Sequence, residues 1–325
     1  MMAPSRHVRT ERPLDGPFPV QLADITALNG VFSDAFTERY RRDGMVGVRV
    51  PFLNPLIWRY AIEGAGAGAM LWRDERGEIG AFNLAHASGA EGWMGPLAAR
   101  PDLQGQGIGK EIVRAGMDRL QQVGVRTIGL ETMPRTLDNI GFYSRLGFVP
   151  GRLTLTLTLD AAGAERSPLL LGALTPTDKA AMIAACRALV GELIPGYDYT
   201  RELMLTDELG CGDTVLLRRG DILAGFAVCH TVPLVEGRAR EELRVLKLAL
   251  ADESEGERMV TALADFARRS GTRRVSFRMQ GEYAELHRTL IGMGARVRWS
   301  DLRMTMHGYA EQRPARGVVL SNWEI

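Results

Sequence analysis

The residues of this chain with the clearest chemical spacing run from Gln104 to Lys110: Gln-Gly-Gln-Gly-Ile-Gly-Lys. Glycines at 105, 107 and 109 stand at the mouth of a segment with Ile108, Ile112, Ala115, Leu120 and Val123 at helical spacing. Bare backbone at such a point lets several N–H groups face one anion. A helix N-terminus adds about half a unit of positive charge. The chemistry implied is the cradling of a phosphate or pyrophosphate. Two common cradles do not fit. A Walker A loop needs glycine at 104 and serine or threonine at 111, where the chain has Gln104 and Glu111. A dinucleotide fingerprint needs a different glycine spacing, early in a βαβ unit, whereas a hairpin pattern precedes this loop.

The elements that must position the loop follow from periodicity. Phe18–Leu22 predicts a strand, and Asp24 caps a helix carrying Ile25, Leu28, Val31, Phe32 and Phe36. Residues 41–56, broken by Pro51 and Pro55, predict a substrate-facing loop or short helix. Met70–Arg73 and Ile79–His86 form a hairpin around Asp74-Glu75-Arg76-Gly77. Trp93–Ala99 is a strand, Gly107–Gln122 a helix, Thr127–Thr132 a strand, Asp138–Leu146 a helix, and Leu153–Leu159 a strand of strict alternation.

After Ala161–Ser167, small and polar, the order repeats. Leu169–Ala173 predicts a strand and Asp178–Leu193 a helix. Val215–Arg218 and Ile222–His230 form a hairpin. Leu243–Leu250, Gly256–Arg269, Val275–Met279, Tyr283–Met293 and Val297–Met306 alternate strand and helix, and Gly317–Ile325 ends on a short apolar strand pattern. Phe82 and His86 recur as Phe226 and His230, and Gly147 as Gly294, so one fold is used twice. The expected organisation is a disordered arm over 1–17, a first domain over 18–160, a linker over 161–167 and a second domain over 168–325.

Length and composition agree with two domains. The chain has 325 residues, 46% hydrophobic, with a net charge of +1. That balance argues against nucleic-acid or anionic-membrane partners. Arginines 268, 269, 273, 274 and 278 read as a solvated face. Cys186, Cys211 and Cys229 lack metal-ligand spacing and read as reduced core residues of a cytoplasmic protein, with no metal. No window suits a signal core or membrane span.

Gln104-x-x-Gly107-x-Gly109, after Leu97-Ala98-Ala99-Arg100-Pro101, resembles the acetyl-CoA signature of the GCN5-related N-acetyltransferases (GNAT). Phe142-Tyr143-Ser144-Arg145-Leu146-Gly147-Phe148 resembles that family's second signature, at the family's separation. The resemblance implies two tandem α/β (α+β) folds, each a mixed, mostly antiparallel sheet flanked by helices. It implies coenzyme A held by the backbone from Gln104 through Gly105, Gln106, Gly107, Ile108 and Gly109 to Lys110. The main chain of Leu97 and Ala99 would pair with the pantetheine arm, and the Leu97 amide would polarise the thioester carbonyl. Tyr143 takes the general-acid position; a phenol with pKa near 10 is protonated at neutral pH. The family's asparagine is replaced by Thr136, and Asn139 stands four residues before Tyr143, so either could bind pantetheine. The strand positions that often carry a base hold Trp93 and Gly95. Glu131 is the first substitute, followed by Glu91 and His86; a water chain, or an amine arriving neutral, needs none.

The second half lacks the signature. Aligning Leu248 with Leu97 puts Glu255, Arg258 and Val260 at the Gln104, Gly107 and Gly109 positions; aligning Gly256 with Gly109 leaves Ala251 and Ser254 for the other two. Leu290 stands for Tyr143. The expectation is one working domain and one degenerate domain that completes the sheet, caps the cleft or forms a homodimer face. The implied function is acetyl transfer to a primary amine of a small molecule or peptide, by direct attack. Other acyl-CoAs, O-acceptors and a non-catalytic acyl-CoA sensor are the alternatives.

Overall fold

The computed structural model describes residues 14–161 and 168–323. The remainder of the arm, the linker from 162 to 167 and the last two residues lie outside that range. In the first half, strand β1 (Asp15–Pro19) leads to helices α1 (Ile25–Arg42) and α2 (Pro55–Ala65). β1 therefore begins within the stretch expected to be an arm. Strands β2 (Ala69–Arg73), β3 (Ile79–Ser88) and β4 (Glu91–Ala99), helix α3 (Ile108–Gln122), strand β5 (Thr127–Thr132), helix α4 (Leu137–Arg145) and strand β6 (Phe148–Asp160) follow. The region read as a loop or short helix, 41–56, is mostly irregular: α1 ends inside it at Arg42 and α2 starts only at its far end, at Pro55. Asn54 caps α2, accepting from Leu56 N at 2.9 Å, and Pro55 takes a first-turn position where its missing N–H costs nothing.

The second half runs β7 (Leu169–Leu170), α5 (Pro176–Leu193), α6 (Thr200–Glu208), β8 (Gly212–Arg219), β9 (Ile222–His230), β10 (Glu242–Leu250), α7 (Gly256–Arg269), β11 (Arg274–Gln280), α8 (Ala284–Gly292), β12 (Arg296–Met306) and β13 (Val318–Ser321). α6 is an element the sequence reading lacked. Only two residues of the strand expected at Leu169–Ala173 are extended; Leu171–Ala173 turns into a 3₁₀ helix.

All thirteen strands of the described residues join one sheet in the order β1-β2-β3-β4-β5-β12-β6-β11-β10-β9-β8-β7, with β13 on β10. The sheet is mixed and mostly antiparallel, as expected; β4–β5 and β10–β11 are its parallel pairs. The halves do not keep separate sheets. β12 pairs with β5, Met304 opposite Leu130, and β6 pairs with β11, Leu157 opposite Phe277. Each half gives its late strand to the other. The burial explains why this holds: Leu157 and Leu159 pack into the core under α7 and α8, and Met304 packs into the core under α3 and α4. β3 shows the two faces of the sheet by alternation. Ala81 and Ala85 face α3, whereas Phe82 and Leu84 face α1 and α2. The three cysteines are buried and form no disulfide. No helix among the described residues is long and apolar enough to cross a membrane.

Candidate active site

The glycine loop folds as a donor cradle. Gly105 and Gly107 have φ of 81° and 87°, left-handed values that side chains rarely adopt, and Gly107 caps α3. Gln104 Nε2 donates to Ala99 O at 3.1 Å, tying the loop to the end of β4. Gln106 Nε2 donates to Asp102 O at 3.2 Å. The amides of Gly105, Gln106, Gly107, Ile108 and Gly109 have no acceptor among the described residues. They stand at the N-terminus of a 15-residue helix, which favours negative charge. Beside them runs a groove of about 410 Å³ lined by Gly107, Lys110, Glu111, Arg114, Ala115 and Asp118. Gly109 also permits close packing: a Cβ there would lie 3.3 Å from the Phe142 ring of α4.

β4 leaves an edge open beside the cradle. It pairs with β5 only from Glu91 to Met94, while its other edge stays paired with β3 as far as Ala99. Leu97 and Ala99 thus lie opposite Asn83 and Ala81 on one side and have no strand on the other. α4 brings up Tyr143, which is 7% exposed. Burial pushes its phenol up to about 12, and its hydroxyl has no partner among the described residues. Thr136 is fully buried at the start of α4, where its hydroxyl donates to Met133 O at 2.6 Å and lies 3.2 Å from that of Thr132. Thr136 is spent on the turn. Asn139 is half-buried and has no such commitment.

The opposite face of the sheet is polar where the halves meet. Glu131 of β5 lies between Arg303 of β12, at 2.9 Å, and Arg278 of β11, and accepts from Thr154 of β6 at 2.7 Å. The two guanidiniums hold its carboxyl below the usual glutamate range against the opposing effect of burial. A carboxylate so fixed is a poor proton acceptor, which counts against the role expected for Glu131. Arg303 is 2% exposed and lies 3.9 Å over the Trp93 ring. Arg278 also reaches Asp301 of β12 at 3.1 Å. It faces this interior cluster rather than the solvated surface expected of the late arginines.

The two reserve bases are also occupied. Glu91 is 1% exposed and takes hydrogen bonds from Trp93 Nε1 (2.8 Å), Ser321 Oγ (2.6 Å) and Tyr199 Oη (3.3 Å). His86 Nε2 lies 3.1 Å from Gly95 O, and its ring stacks on Trp323. Burial and the nearby Lys247 push the imidazole down to about 3, so it stays neutral.

Residues 34–148 match the model of the acetyltransferase (GNAT) family. That segment contains both the cradle and Tyr143. The match is to that segment of the first half, about a third of the chain. None of the curated proteins matches the chain in sequence. Among solved structures, a Pyrococcus horikoshii protein assigned as an acetyltransferase aligns with a TM-score of 0.68 at 14% identity, over 98% of this chain and 99% of its own. A tandem GNAT protein from the clavulanic acid biosynthesis pathway aligns at 0.56 and 12% identity, over 90% and 98%. Saccharomyces cerevisiae N-myristoyltransferase, solved with myristoyl-CoA, aligns at 0.62 and 9% identity, over 92% and 86%. At these identities the likeness is one of fold, and it spans both halves.

Against the matched segment, the second half is built shut. Between β10 and α7 lie only residues 251–255, whereas 100–107 separate β4 from α3. The shortening explains why neither sequence alignment held throughout: the strands correspond in one register and the helices in another. Asp252 caps its own turn, accepting from Ser254 N at 2.9 Å. Glu253 Oε1 accepts from Leu286 N at 2.9 Å, at the start of α8. Glu255 is 2% exposed and held by Arg219 and Arg258. The edge of β10 that corresponds to the open edge of β4 is taken by β13, from Lys247↔Ser321 to Leu250↔Val318. Tyr283, at the place of Thr136, locks that strand by donating to Val319 O at 2.9 Å. Leu290, at the place of Tyr143, is fully buried.

Proposed function

We propose that this chain is an acetyl-CoA-dependent N-acetyltransferase with one working site, in the first half, and an acceptor floor completed by the second half. The observation that carries the reading is the juxtaposition of five unpartnered loop amides, an open β4 edge and the unpartnered hydroxyl of Tyr143. These residues fit coenzyme A. Amides 105–109 suit its pyrophosphate, Lys110 and Arg114 flank the adjoining groove, and the Gly95–Ala99 edge suits an amide-bearing arm. The amide of Leu97 is the donor proposed for the thioester carbonyl, and Asn139 rather than Thr136 is the side chain free to bond the arm. When bound, acetyl-CoA supplies an activated acyl group on a thiol of moderate acidity. Tyr143 holds its proton at Oη throughout the neutral range and can give it to the departing sulfur.

The acceptor enters from the α1–α2 face, over the Glu131, Arg278, Arg303 and Asp301 cluster. A primary amine of a small molecule or peptide suits this partly exposed, charge-balanced floor. The test is release of free thiol from acetyl-CoA across a panel of amines. Amine-dependent release is expected. Tight CoA binding without release on any amine would replace the enzyme by an acyl-CoA sensor.

A further inference from the structure

Resting on the reading above, we infer that Asp301, carried into the first half by the exchanged strand β12, is the general base that the acceptor amine uses. The strand leading into the glycine loop offers Trp93 and Gly95, which accept no proton. A side-chain base has to come from another strand, and the register shows where to look. β4 and β5 run parallel with Met94 beside Leu130. Beyond Met94 the ladder with β5 ends, and three steps of β4, Met94 to Leu97, match two of β3, Ala85 to Asn83, so Leu97 falls about level with Thr132. β12 runs antiparallel to β5 with Leu302 beside Thr132, and Asp301 is the next residue on that strand. Asp301 thus stands within one residue of the level of Leu97, on the strand next to β5, and shares the acceptor face with Arg303 two residues on.

The groups facing Asp301 come from each packed element. Arg278 of β11 lies 3.1 Å from Oδ2, and Trp299 Nε1 on the same strand donates to Oδ1 at 3.1 Å. Glu131 of β5 and Tyr40 of α1 are close enough to interact electrostatically. Its side chain is 13% exposed, so water and a small amine can reach it. The other acceptor-face groups are spent. Glu131 is clamped by two arginines, Glu91 is enclosed by three donors, and His86 stays neutral beside Gly95. Burial and the neighbouring Glu131 carboxylate raise the Asp301 carboxyl above the usual aspartate range, with Arg278 opposing. It therefore holds a proton more readily than Glu131 does.

In the step, the amine nitrogen forms a bond to the acyl carbon and the carbon–sulfur bond breaks. The ammonium proton passes to Asp301 Oδ, directly or through one water. The sulfur takes the bond pair and the Tyr143 proton. Free CoA–SH and the amide leave, and the two side chains recover their protonation states through solvent.

The experiment uses the intact chain and an amine found by the thiol-release panel. Asp301→Asn should lower kcat/KM by about 10²-fold or more near neutral pH. It should leave CoA affinity and melting temperature near wild type, and the loss should shrink at high pH, where the amine is already neutral. The wild-type rate should rise with pH through a group titrating above ordinary aspartates. In ¹³C-aspartate NMR of the ligand-free protein, one carboxyl resonance should titrate in that raised range and vanish in Asp301→Asn. Asp301→Glu should restore part of the rate; if Asp301→Asn misfolds, this variant and the resonance carry the test. An Asp301→Asn enzyme within two-fold of wild type, with the same pH profile, overturns the assignment and leaves the transferase reading standing. A wild type that releases no thiol with any amine overturns both.

Discussion

Tyr143 and Glu131 were both legible in the sequence as chemically capable, and their surroundings separate them. Tyr143 is buried with a free hydroxyl, so Tyr143→Phe should cut kcat by about 10²-fold while CoA affinity in calorimetry stays within two-fold. The phenol is active when protonated, and its raised value means that no alkaline loss of activity below about pH 11 should trace to it. Glu131 is the counter-ion of a buried arginine. Its folded-state value is depressed, so its contribution to stability is present above its unfolded value near 4.5 and is lost as pH falls through the folded value. Glu131→Gln should lower stability by roughly 2 kcal/mol at pH 7, since Arg303 keeps Glu311 at 2.9 Å. Much of that difference should vanish in urea melts at acidic pH. A variant as stable as wild type at pH 7 would contradict the clamp. No local pattern in the first half could have pointed to Asp301, which lies 170 residues beyond Glu131 in sequence.

At the scale of elements, the glycine loop was legible as a bare-backbone loop at a helix N-terminus because its geometry is local. Left-handed φ at Gly105 and Gly107 is a backbone demand that the letters state directly. Gly107→Val should therefore weaken CoA binding at least ten-fold, since a β-branched residue strains that conformation by about 1–2 kcal/mol and crowds the cradle. Calorimetry checks it; unchanged affinity would mean that the cradle does not hold the phosphates. The strands were legible as strands and illegible as partners. The alternation Leu153, Leu155, Leu157, Leu159 predicts a buried face, which Leu157 and Leu159 bear out while Leu153 is exposed, but a period of two says nothing about which sheet edge that face joins. The partner of β6 was fixed by the core under α7 and α8, assembled from residues a hundred positions later. The terminal strand pattern was visible in the same way, whereas its seat on β10 was not.

For the whole molecule, reciprocal strand exchange makes the halves one cooperative object. β12 completes the core beneath Tyr143, and β6 completes the core beneath α7. Calorimetric unfolding should show one transition; two separate transitions would contradict the exchange. On the function proposed above, the exchange also gives the second half a task, because it places Arg278, Asp301 and Arg303 beside Glu131 of the first half. The same half has no counterpart of the cradle: its loop is short, Glu253 and Glu255 are tied into it, and β13 lies along β10. The central claim is that one cradle works and one is filled, and titration of the intact chain with acetyl-CoA by calorimetry tests it most directly. The account predicts one site per chain, lost in Gly107→Val. Two equivalent sites, or one site that survives Gly107→Val undiminished, would contradict it.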